Sequence, residues 1–409
     1  MSWTFRDSTG AIKSVTNNSV ILNPISTATL RGGNGTNAPT ALVNGAGASD
    51  GTYFYLCGGT TNGINTGALS NVRRYDPATN VWAAFTNALP VAIYGAHAEV
   101  VGTKLYVYGG VSAANTVQSA LYSYDLTTGL VGTWTTLAAG DTRVSAKMVT
   151  DGINLYVFAG STTVLPAGSA LNSIRRYNVG ANTWSTLAPP SNPTSRWSHA
   201  GGYSPSLNSF IFAGGWNPAT GSPHSDTWKY DIAANTWLNL SLVMPFPTYA
   251  AGSCILNNQL FVVGGLNGST VDNFNQIQVF DIASSSWDCR ASWQLQTGVY
   301  YPAVAAQHRT NDSIINCVGG QATSGAVSVT QRMIESISLI SAPFNGNVSV
   351  RTFSSPLTKQ GSFGPGWLHN ETSNYSQQGS IGVANGDSIV WPCRSWLPVQ
   401  ADDVELVVS

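Results

Sequence analysis

The stretch Tyr53–Gly59, which reads YFYLCGG, is the first of six short apolar runs that end in a pair of small residues. The others read LYVYGG (Leu105–Gly110), LYVFAG (Leu155–Gly160), FIFAGG (Phe210–Gly215), LFVVGG (Leu260–Gly265) and INCVGG (Ile315–Gly320). Successive pairs begin 51, 50, 55, 50 and 55 residues apart. A period of about 50 residues indicates repeated structural units. Because each run is apolar on both faces, we expect it to form a buried strand.

Each run is followed by a second signal at a regular spacing within the repeat. An aromatic residue precedes a turn residue at Tyr75-Asp76, Tyr124-Asp125, Tyr177-Asn178, Tyr230-Asp231 and Phe280-Asp281. A tryptophan comes six residues after the turn residue at Trp82, Trp184, Trp237 and Trp287, and nine residues after it at Trp134. Turn residues at these places predict a hairpin between two outer strands. With a further hairpin signal before each run, such as Asp50-Gly51, each repeat is predicted to be a four-stranded propeller blade.

The combined pattern resembles the kelch-repeat β-propeller family over roughly Pro39 to Ile340. The resemblance implies an all-β protein built on a six-bladed kelch-type β-propeller. It implies no single function, since the family includes an oxidase, sugar epimerases, specifier proteins, adaptors and virion proteins, and a fold does not dictate chemistry.

The sixth repeat has no aromatic-Asp pair and no tryptophan after it, so its outermost strand is missing downstream. We expect Ile25–Leu30 to supply that strand from the N-terminal side. The predicted organisation is an N-terminal arm at residues 1–24, the propeller at residues 25–341 and a small C-terminal β module at residues 342–409. In that module, alternating patterns predict strands at Val348–Phe353, Ser380–Val383, Ser388–Trp391 and Val404–Val408. The two end pieces are interpreted as attachment elements.

Charged residues are unusually few, at 18 Lys+Arg and 19 Asp+Glu, or 9% of 409 residues. Ordinary soluble domains carry about 25%. The net charge of −1 argues against a nucleic-acid partner. No apolar run reaches 18 residues and the N-terminus lacks a signal-peptide pattern, so neither membrane insertion nor secretion is expected. The surface is expected to consist mainly of Ser, Thr, Asn, Gln and Gly.

No catalytic residue, metal site or cofactor is assigned. The five cysteines are scattered and form no C-x-x-C pair, which argues against a zinc site or a disulfide framework. His97 and His199 are interpreted as occupying equivalent places in two repeats rather than converging on a metal. The copper and iron sites that the kelch resemblance implies for some members are not matched by motif. The protein is therefore predicted not to be an enzyme.

One set of residues is predicted to ring a mouth of the central channel. Aligned by distance to the glycine pairs, the first positions of the innermost strands are Pro39, Tyr94, Arg143, Arg196, Tyr249 and Tyr301, with Trp197 and Tyr300 adjacent. Tyr, Trp and Arg recur at binding hot spots, and aromatic faces stack on sugars. The candidate ligand-binding residues are thus Tyr94, Arg143, Arg196, Trp197, Tyr249 and Tyr301. The alternative is that the arginines bond to blade backbones.

The composition resembles that of a bacteriophage tail or fibre protein, which is made in the host cytoplasm and works in the virion. The leading hypothesis is a virion protein that displays its propeller for recognition of a host-surface glycan or receptor. Its termini would contact other virion subunits, and it would form a homo-oligomer in the assembly. One alternative is a purely architectural component of a tail nozzle, baseplate or head fibre. Another is a carbohydrate-active enzyme or a sugar-binding module on a kelch scaffold.

Overall fold

The computed structural model describes residues 31–61, 67–165, 169–268, 275–289, 294–308 and 312–336, together with seven short strands outside them. The chain divides into two compact units. One unit is Leu30–Ile334, and the other combines Met1–Thr29 with Glu335–Ser409. The helical content of the described residues is one 3-10 turn at Leu126–Thr128. No helix in that part of the chain is long and apolar enough to cross a membrane.

The unit Leu30–Ile334 contains six antiparallel four-stranded sheets among its described residues, which we call blades 1 to 6. Blade 1 consists of Ala46–Ser49, Phe54–Cys57, Val72–Asp76 and Val81–Ala84, and blade 2 of His97–Val101, Lys104–Tyr108, Leu121–Asp125 and Trp134–Thr136. Blade 3 consists of Lys147–Thr150, Asn154–Phe158, Ile174–Asn178 and Thr183–Leu187, and blade 4 of Ala200–Ser204, Ser209–Ala213, Asp226–Asp231 and Thr236–Val243. Blade 5 consists of Gly252–Leu256, Gln259–Val263, Ile277–Asp281 and Ser286–Asp288.

Blade 6 takes its outermost strand from the beginning of the chain. Its strands in spatial order are Ala303–His308, Asp312–Val318, Thr330–Ser336 and Arg31–Gly35. The last pair is antiparallel, with Thr330 opposite Gly35 and Ile334 opposite Arg31. Donation of a strand from the N-terminal side was predicted, but the strand is Arg31–Gly35 and not Ile25–Leu30, which lies outside the described residues. The predicted strand lies too early in the chain because its position was found by counting back from Pro39, whereas blade 1 begins several residues later.

The six blades form a closed ring. Their first strands contact one another in cyclic order, and the first strand of blade 6 contacts that of blade 1. The second strands carry the apolar runs, and those of blades 1 and 4, Phe54–Cys57 and Ser209–Ala213, are buried along their whole length. Facing sheets must both bury apolar side chains, so these strands lack the alternation of a half-exposed strand. The six-bladed, kelch-type architecture is confirmed.

The tryptophans of the outermost strands join neighbouring blades. The indole N–H of Trp82 donates to the Thr36 carbonyl at 2.8 Å, and that of Trp184 donates to the Ala138 carbonyl at 2.8 Å. Both acceptors follow the outermost strand of the preceding blade. The Trp184 ring also packs against Tyr108 of blade 2, with centroids 4.8 Å apart. A half-buried indole thus contributes both apolar area and a hydrogen bond across the blade interface.

The other unit contains short strands from both ends of the chain. Gly346–Thr352 pairs with Gly379–Val383 and with Val404–Val408, both antiparallel. Ile21–Leu22 pairs in parallel with Val390–Trp391. Thr4–Arg6 and Ile12–Ser14 form a hairpin. The strands of the C-terminal region therefore lie close to where the alternating pattern places them, and a strand from residues 1–24 pairs with that region.

Candidate binding site at the channel mouth

Six backbone hydrogen bonds form a closed ring at one mouth of the propeller channel. Each runs from the N–H of one residue to the carbonyl of its equivalent in the neighbouring blade, with N···O distances of 2.6–3.1 Å. The members of this mouth ring are Asn44, Gly95, Ser145, Ser198, Ala250 and Tyr301. All six have positive φ, between 50° and 64°. Left-handed backbone costs a non-glycine residue roughly 1–2 kcal/mol, so the ring holds a strained geometry in place.

The residue before each ring member defines the next level of the mouth. It forms an antiparallel bridge with the residue that follows the glycine pair of its own blade, as in Trp197 with Trp216 and Tyr249 with Leu266. Residues of this bridged level are Val43, Tyr94, Val144, Trp197, Tyr249 and Tyr300. Of the predicted binding residues, Tyr94, Trp197 and Tyr249 belong to it.

Three of the predicted binding residues, and Pro39, do not belong to the bridged level. Arg143 and Arg196 come one residue before the bridged level, and Tyr301 comes one residue after it, in the mouth ring. Arg143 lies 16 residues before Ala159, one more than the 15 residues that separate Tyr94 from Gly109 in blade 2. In blade 4 the physical reason is that the hairpin between the first and second strands is longer. The turn has two residues in blade 2, between Val101 and Lys104, and four in blade 4, between Ser204 and Ser209. Counting back from the glycine pair therefore does not preserve the register.

Four half-buried aromatic side chains lie as two packed pairs on blades 4, 5 and 6 at this mouth. We define the aromatic strip as Trp216, Tyr249, Tyr300 and Tyr301. The ring centroids of Trp216 and Tyr249 are 4.8 Å apart, and those of Tyr300 and Tyr301 are 5.7 Å apart. Burial, and then the neighbouring Tyr300, raise the pKa of Tyr249. The phenols are therefore neutral hydrogen-bonding groups at physiological pH.

Two further aromatic side chains lie buried next to the strip. Trp197 is 4% exposed, and its ring centroid is 5.9 Å from those of both Trp216 and Tyr249. Tyr94 is 3% exposed and belongs to the same apolar cluster. Neither the indole Nε1 of Trp197 nor the hydroxyl of Tyr94 has a hydrogen-bond partner in the described part of the chain. Buried polar groups without partners are costly, so these two are unusual in a folded core.

Arg143 does not face the channel. It is 1% exposed, and its Nη1 donates to the carbonyl oxygens of Ala159 at 2.7 Å and Ser173 at 3.1 Å. Its Nη2 donates to Asp141 at 2.8 Å. Meanwhile its backbone carbonyl accepts from Gly110 of the preceding blade at 2.8 Å. Arg143 thus ties the linker between blades 2 and 3 to both blades.

Arg196 has the same arrangement between blades 3 and 4. It is fully buried and donates to the two carboxylate oxygens of Asp226 at 2.5 and 2.8 Å. Its Nη1 also bonds to the Gly214 carbonyl at 2.9 Å, and its Nε bonds to the Thr194 carbonyl at 3.0 Å. Burial alone would raise the pKa of Asp226, but the hydrogen bonds and charge of Arg196 hold it below its ordinary value. These guanidinium groups are therefore not exposed at the mouth, and the expectation that they bind a ligand there is wrong. They bond to blade backbones, which was the alternative.

Trp216 and Tyr300 were missed from the sequence alone. Trp216 follows the glycine pair in FIFAGGW, at a position that other repeats fill with Thr60, Val111 or Ser161. A large aromatic at this place was the available signal, because the residue after the glycine pair always reaches the bridged level. Tyr300 was noticed only as a neighbour of Tyr301.

Other sequence features do not assemble into a catalytic centre among the described residues. No group of three or more His, Cys, Asp or Glu side chains there could hold a metal ion. His97 and His199 do not occupy equivalent places. His97 pairs with Tyr108, the residue before the glycine pair of blade 2, whereas in blade 4 the residue before the glycine pair, Ala213, pairs with Ala200 and not with His199. Gly47–Gly51 has Gly-x-Ser-x-Gly spacing, but Ser49 ends a strand in a hairpin and accepts from the Gly51 N–H at 3.0 Å. That turn is not the strand-to-helix turn of a nucleophile elbow.

Comparison with known proteins agrees with this fold. A family model described as the KLHDC2/KLHL20/DRC7 Kelch-repeats domain matches residues 40–265 and 148–330, together more than half of the chain. The chain therefore belongs to the kelch-repeat family of β-propellers.

Individual relatives are animal and fungal kelch proteins. Bovine Kelch domain-containing protein 3 is 28% identical over 238 residues, which are 54% of this chain and 59% of the relative. Kelch-like protein terF of Aspergillus terreus is 25% identical over 266 residues, which are 59% of this chain and 54% of the relative. Mouse Kelch-like protein 15 is 30% identical over 138 residues, 32% of this chain and 20% of the relative. The chain thus spans little more than half the length of the first two proteins.

Proposed function

We propose that this propeller is a recognition module that binds a neutral glycan through the aromatic strip. The observation that carries the proposal is the convergence of Trp216, Tyr249, Tyr300 and Tyr301 on one mouth, beside two buried donors that lack partners among the described residues. Pyranose rings present apolar C–H faces that stack on aromatic side chains, while phenol hydroxyls bond to sugar hydroxyls.

The charges around the strip favour a neutral ligand over an acidic one. The guanidinium groups of Arg143 and Arg196 bond to backbone carbonyls and carboxylates inside their blades, and the two residues are 1% and 0% exposed. They are therefore not offered as bidentate partners for a ligand carboxylate.

The biological setting that we propose is a phage tail or fibre, on which the propeller is displayed towards the host and the chain termini attach to other virion subunits. This part rests on composition. Only 9% of residues are charged, and an uncharged polar surface suits a protein that works outside the cell. The names of the animal and fungal relatives specify the repeat and not a ligand.

The proposal is tested by measuring adsorption of the folded protein to host cells and binding to a glycan array. Trp216→Ala and Tyr249→Ala should each lower affinity at least tenfold, the scale of an interface hot spot. Tyr203→Ala is the matched control, because this half-buried tyrosine of blade 4 lies at the far end of the first strand and bonds to Asn208 at 3.1 Å.

Undiminished binding by both strip variants would refute the assignment. A structure of the assembled virion supplies the second test. Burial of the strip against another virion subunit would make the propeller an architectural component, whereas an exposed strip is required for recognition.

A further inference from the structure

Lys147 lies across the central channel of the propeller. It begins the first strand of blade 3, and its Nζ donates to the carbonyl oxygen of Ser253 on the first strand of blade 5 at 3.1 Å. The channel here encloses a cavity of about 90 Å³. That volume accommodates a few water molecules or one small ion. The lining is mainly Gly, Ala and Ser from the first strands, so the space beside the ammonium is open.

The first strand of blade 2 brings a titratable side chain, His97, to the lining of this cavity. His97 and Glu99 lie two residues apart on the first strand of blade 2 and so share a face. Burial raises the pKa of Glu99 to about 7, although the charge of Lys147 acts to lower it. Burial, and then the charge of Lys147, lower the pKa of His97 to about 3, so its imidazole is neutral.

The side chains that the remaining strands bring to the channel are uncharged at neutral pH. On blade 4, burial and then the charge of Arg196 hold the pKa of His199 well below its ordinary value. On blade 5, burial raises the pKa of Cys254 to about 12. Blade 1 contributes the uncharged Ala46, and blade 6 contributes Ala303 and Tyr301. Burial raises the pKa of Tyr301, so its phenol is neutral.

The cavity therefore contains an incompletely paired basic side chain. Burial lowers the pKa of Lys147, and the charge of the nearby Glu99 acts to raise it. Lys147 is the one Lys or Arg among the described residues that line it. Its ammonium has three donors and makes one hydrogen bond in the described part of the chain. No ion pair within 4.0 Å joins it to Glu99 there. The His97 Nε2 is also buried without a partner among these residues.

We propose that the channel is a binding site for one small monovalent anion, such as a halide, held by Lys147 together with His97 and the protonated carboxyl of Glu99. The ammonium supplies the charge, and the imidazole N–H and the carboxyl O–H supply two further donors. Because an ionised Glu99 would neutralise Lys147 and repel the anion, binding requires Glu99 to take up one proton from solvent. None of these three side chains belongs to the aromatic strip, although Tyr301 of the strip also lines the cavity.

Proton linkage gives the site a measurable signature. With a carboxyl that titrates near pH 7, the protonated fraction falls about tenfold between pH 6 and pH 8. Halide affinity should therefore be about tenfold tighter at pH 6 than at pH 8. The probe is sodium bromide, added to protein in a halide-free gluconate buffer, since gluconate is too large for the cavity.

Bromide affinity is measured from the rise in melting temperature with bromide concentration, at pH 6 and at pH 8. Lys147→Met should abolish the bromide-dependent rise, whatever its effect on basal stability. Glu99→Gln fixes the neutral state of the side chain, so its bromide affinity should be independent of pH. Lys104→Met removes an exposed lysine of blade 2 and should behave as the parent protein.

A crystal containing bromide supplies a direct readout through anomalous scattering. A peak beside the Lys147 Nζ is the expected result, and no peak within the channel would overturn the proposal. The proposal would also fail if the wild-type bromide response were equal at the two pH values, or if Lys147→Met retained it. If Lys147→Met does not fold, the Glu99→Gln profile and the bromide peak decide the matter.

Discussion

Replacing Arg196 by Met tests whether the buried guanidinium holds the propeller together. The substitution keeps an apolar stem but removes the bonds to Asp226, Gly214 and Thr194. Breaking a buried ion pair by removing one partner costs about 3–5 kcal/mol, because the other charge remains uncompensated. The Asp226 side chain is 27% exposed, so water can reach its carboxylate. We therefore expect the free energy of unfolding to fall by about 3 kcal/mol, at the lower end of that range.

Urea unfolding at pH 7 measures the loss, and Arg175→Met is the matched control. Arg175 is 22% exposed and lies 3.9 Å from Asp141, an ion pair of the surface type. Such pairs contribute about 1 kcal/mol or less. If Arg196→Met were no more destabilising than Arg175→Met, the structural role would be refuted. Intact stability with lost glycan binding would return Arg196 to the ligand site.

The pH dependence of the same variant checks the electrostatic cause. Arg196 holds the folded-state pKa of Asp226 below the ordinary value of 3.8, despite the opposing effect of burial. A carboxyl with a lowered pKa contributes stability above the unfolded value, and that contribution disappears as pH falls through the folded value. The stability difference between wild type and Arg196→Met should therefore be constant above about pH 5 and narrow below pH 3.8.

Three further predictions concern closure, packing and strain. A protein lacking residues 1–35 should melt about 5 °C below one lacking residues 1–30. The two proteins differ only in the strand Arg31–Gly35, and a loss of about 2 kcal/mol in the free energy of unfolding lowers the melting temperature by that much. Trp184→Ala and Trp237→Ala should each cost about 3–5 kcal/mol in urea unfolding, and wild-type stability in both would contradict the interblade packing. Ala250→Gly should stabilise by about 1 kcal/mol because φ is 56° there, whereas Ala251→Gly should not, and equal effects would show that the ring is unstrained.

The blade architecture was determined by the sequence because its signals are local. An apolar second strand and a small-residue pair recur in all six blades, and an aromatic residue before a turn residue and a tryptophan recur in the first five, so each copy supports the others. Hydrophobic periodicity and turn chemistry depend on neighbours along the chain. The number of blades, their strands and the donation of a strand from the N-terminal side could therefore be predicted.

The binding site could not be read in the same way, because its register depends on contacts between blades. The mouth ring joins residues about 50 positions apart, such as Gly95 and Ser145, and the longer hairpin of blade 4 shifts the count from the glycine pair there. A shift of one residue in a strand-like segment turns a side chain from the channel to the blade interior. That shift buries Arg143 and Arg196 and leaves Tyr249 at the mouth.

The channel depends still more on tertiary structure. Lys147 bonds to a carbonyl from blade 5 and acts electrostatically on a carboxyl from blade 2, and no local pattern marks those strands as neighbours across a cavity. The residues that carry charge into the channel are ordinary in sequence, and only ring closure removes them from water. Burial, which shifts their pKa values, is a property of the closed ring and not of any single repeat.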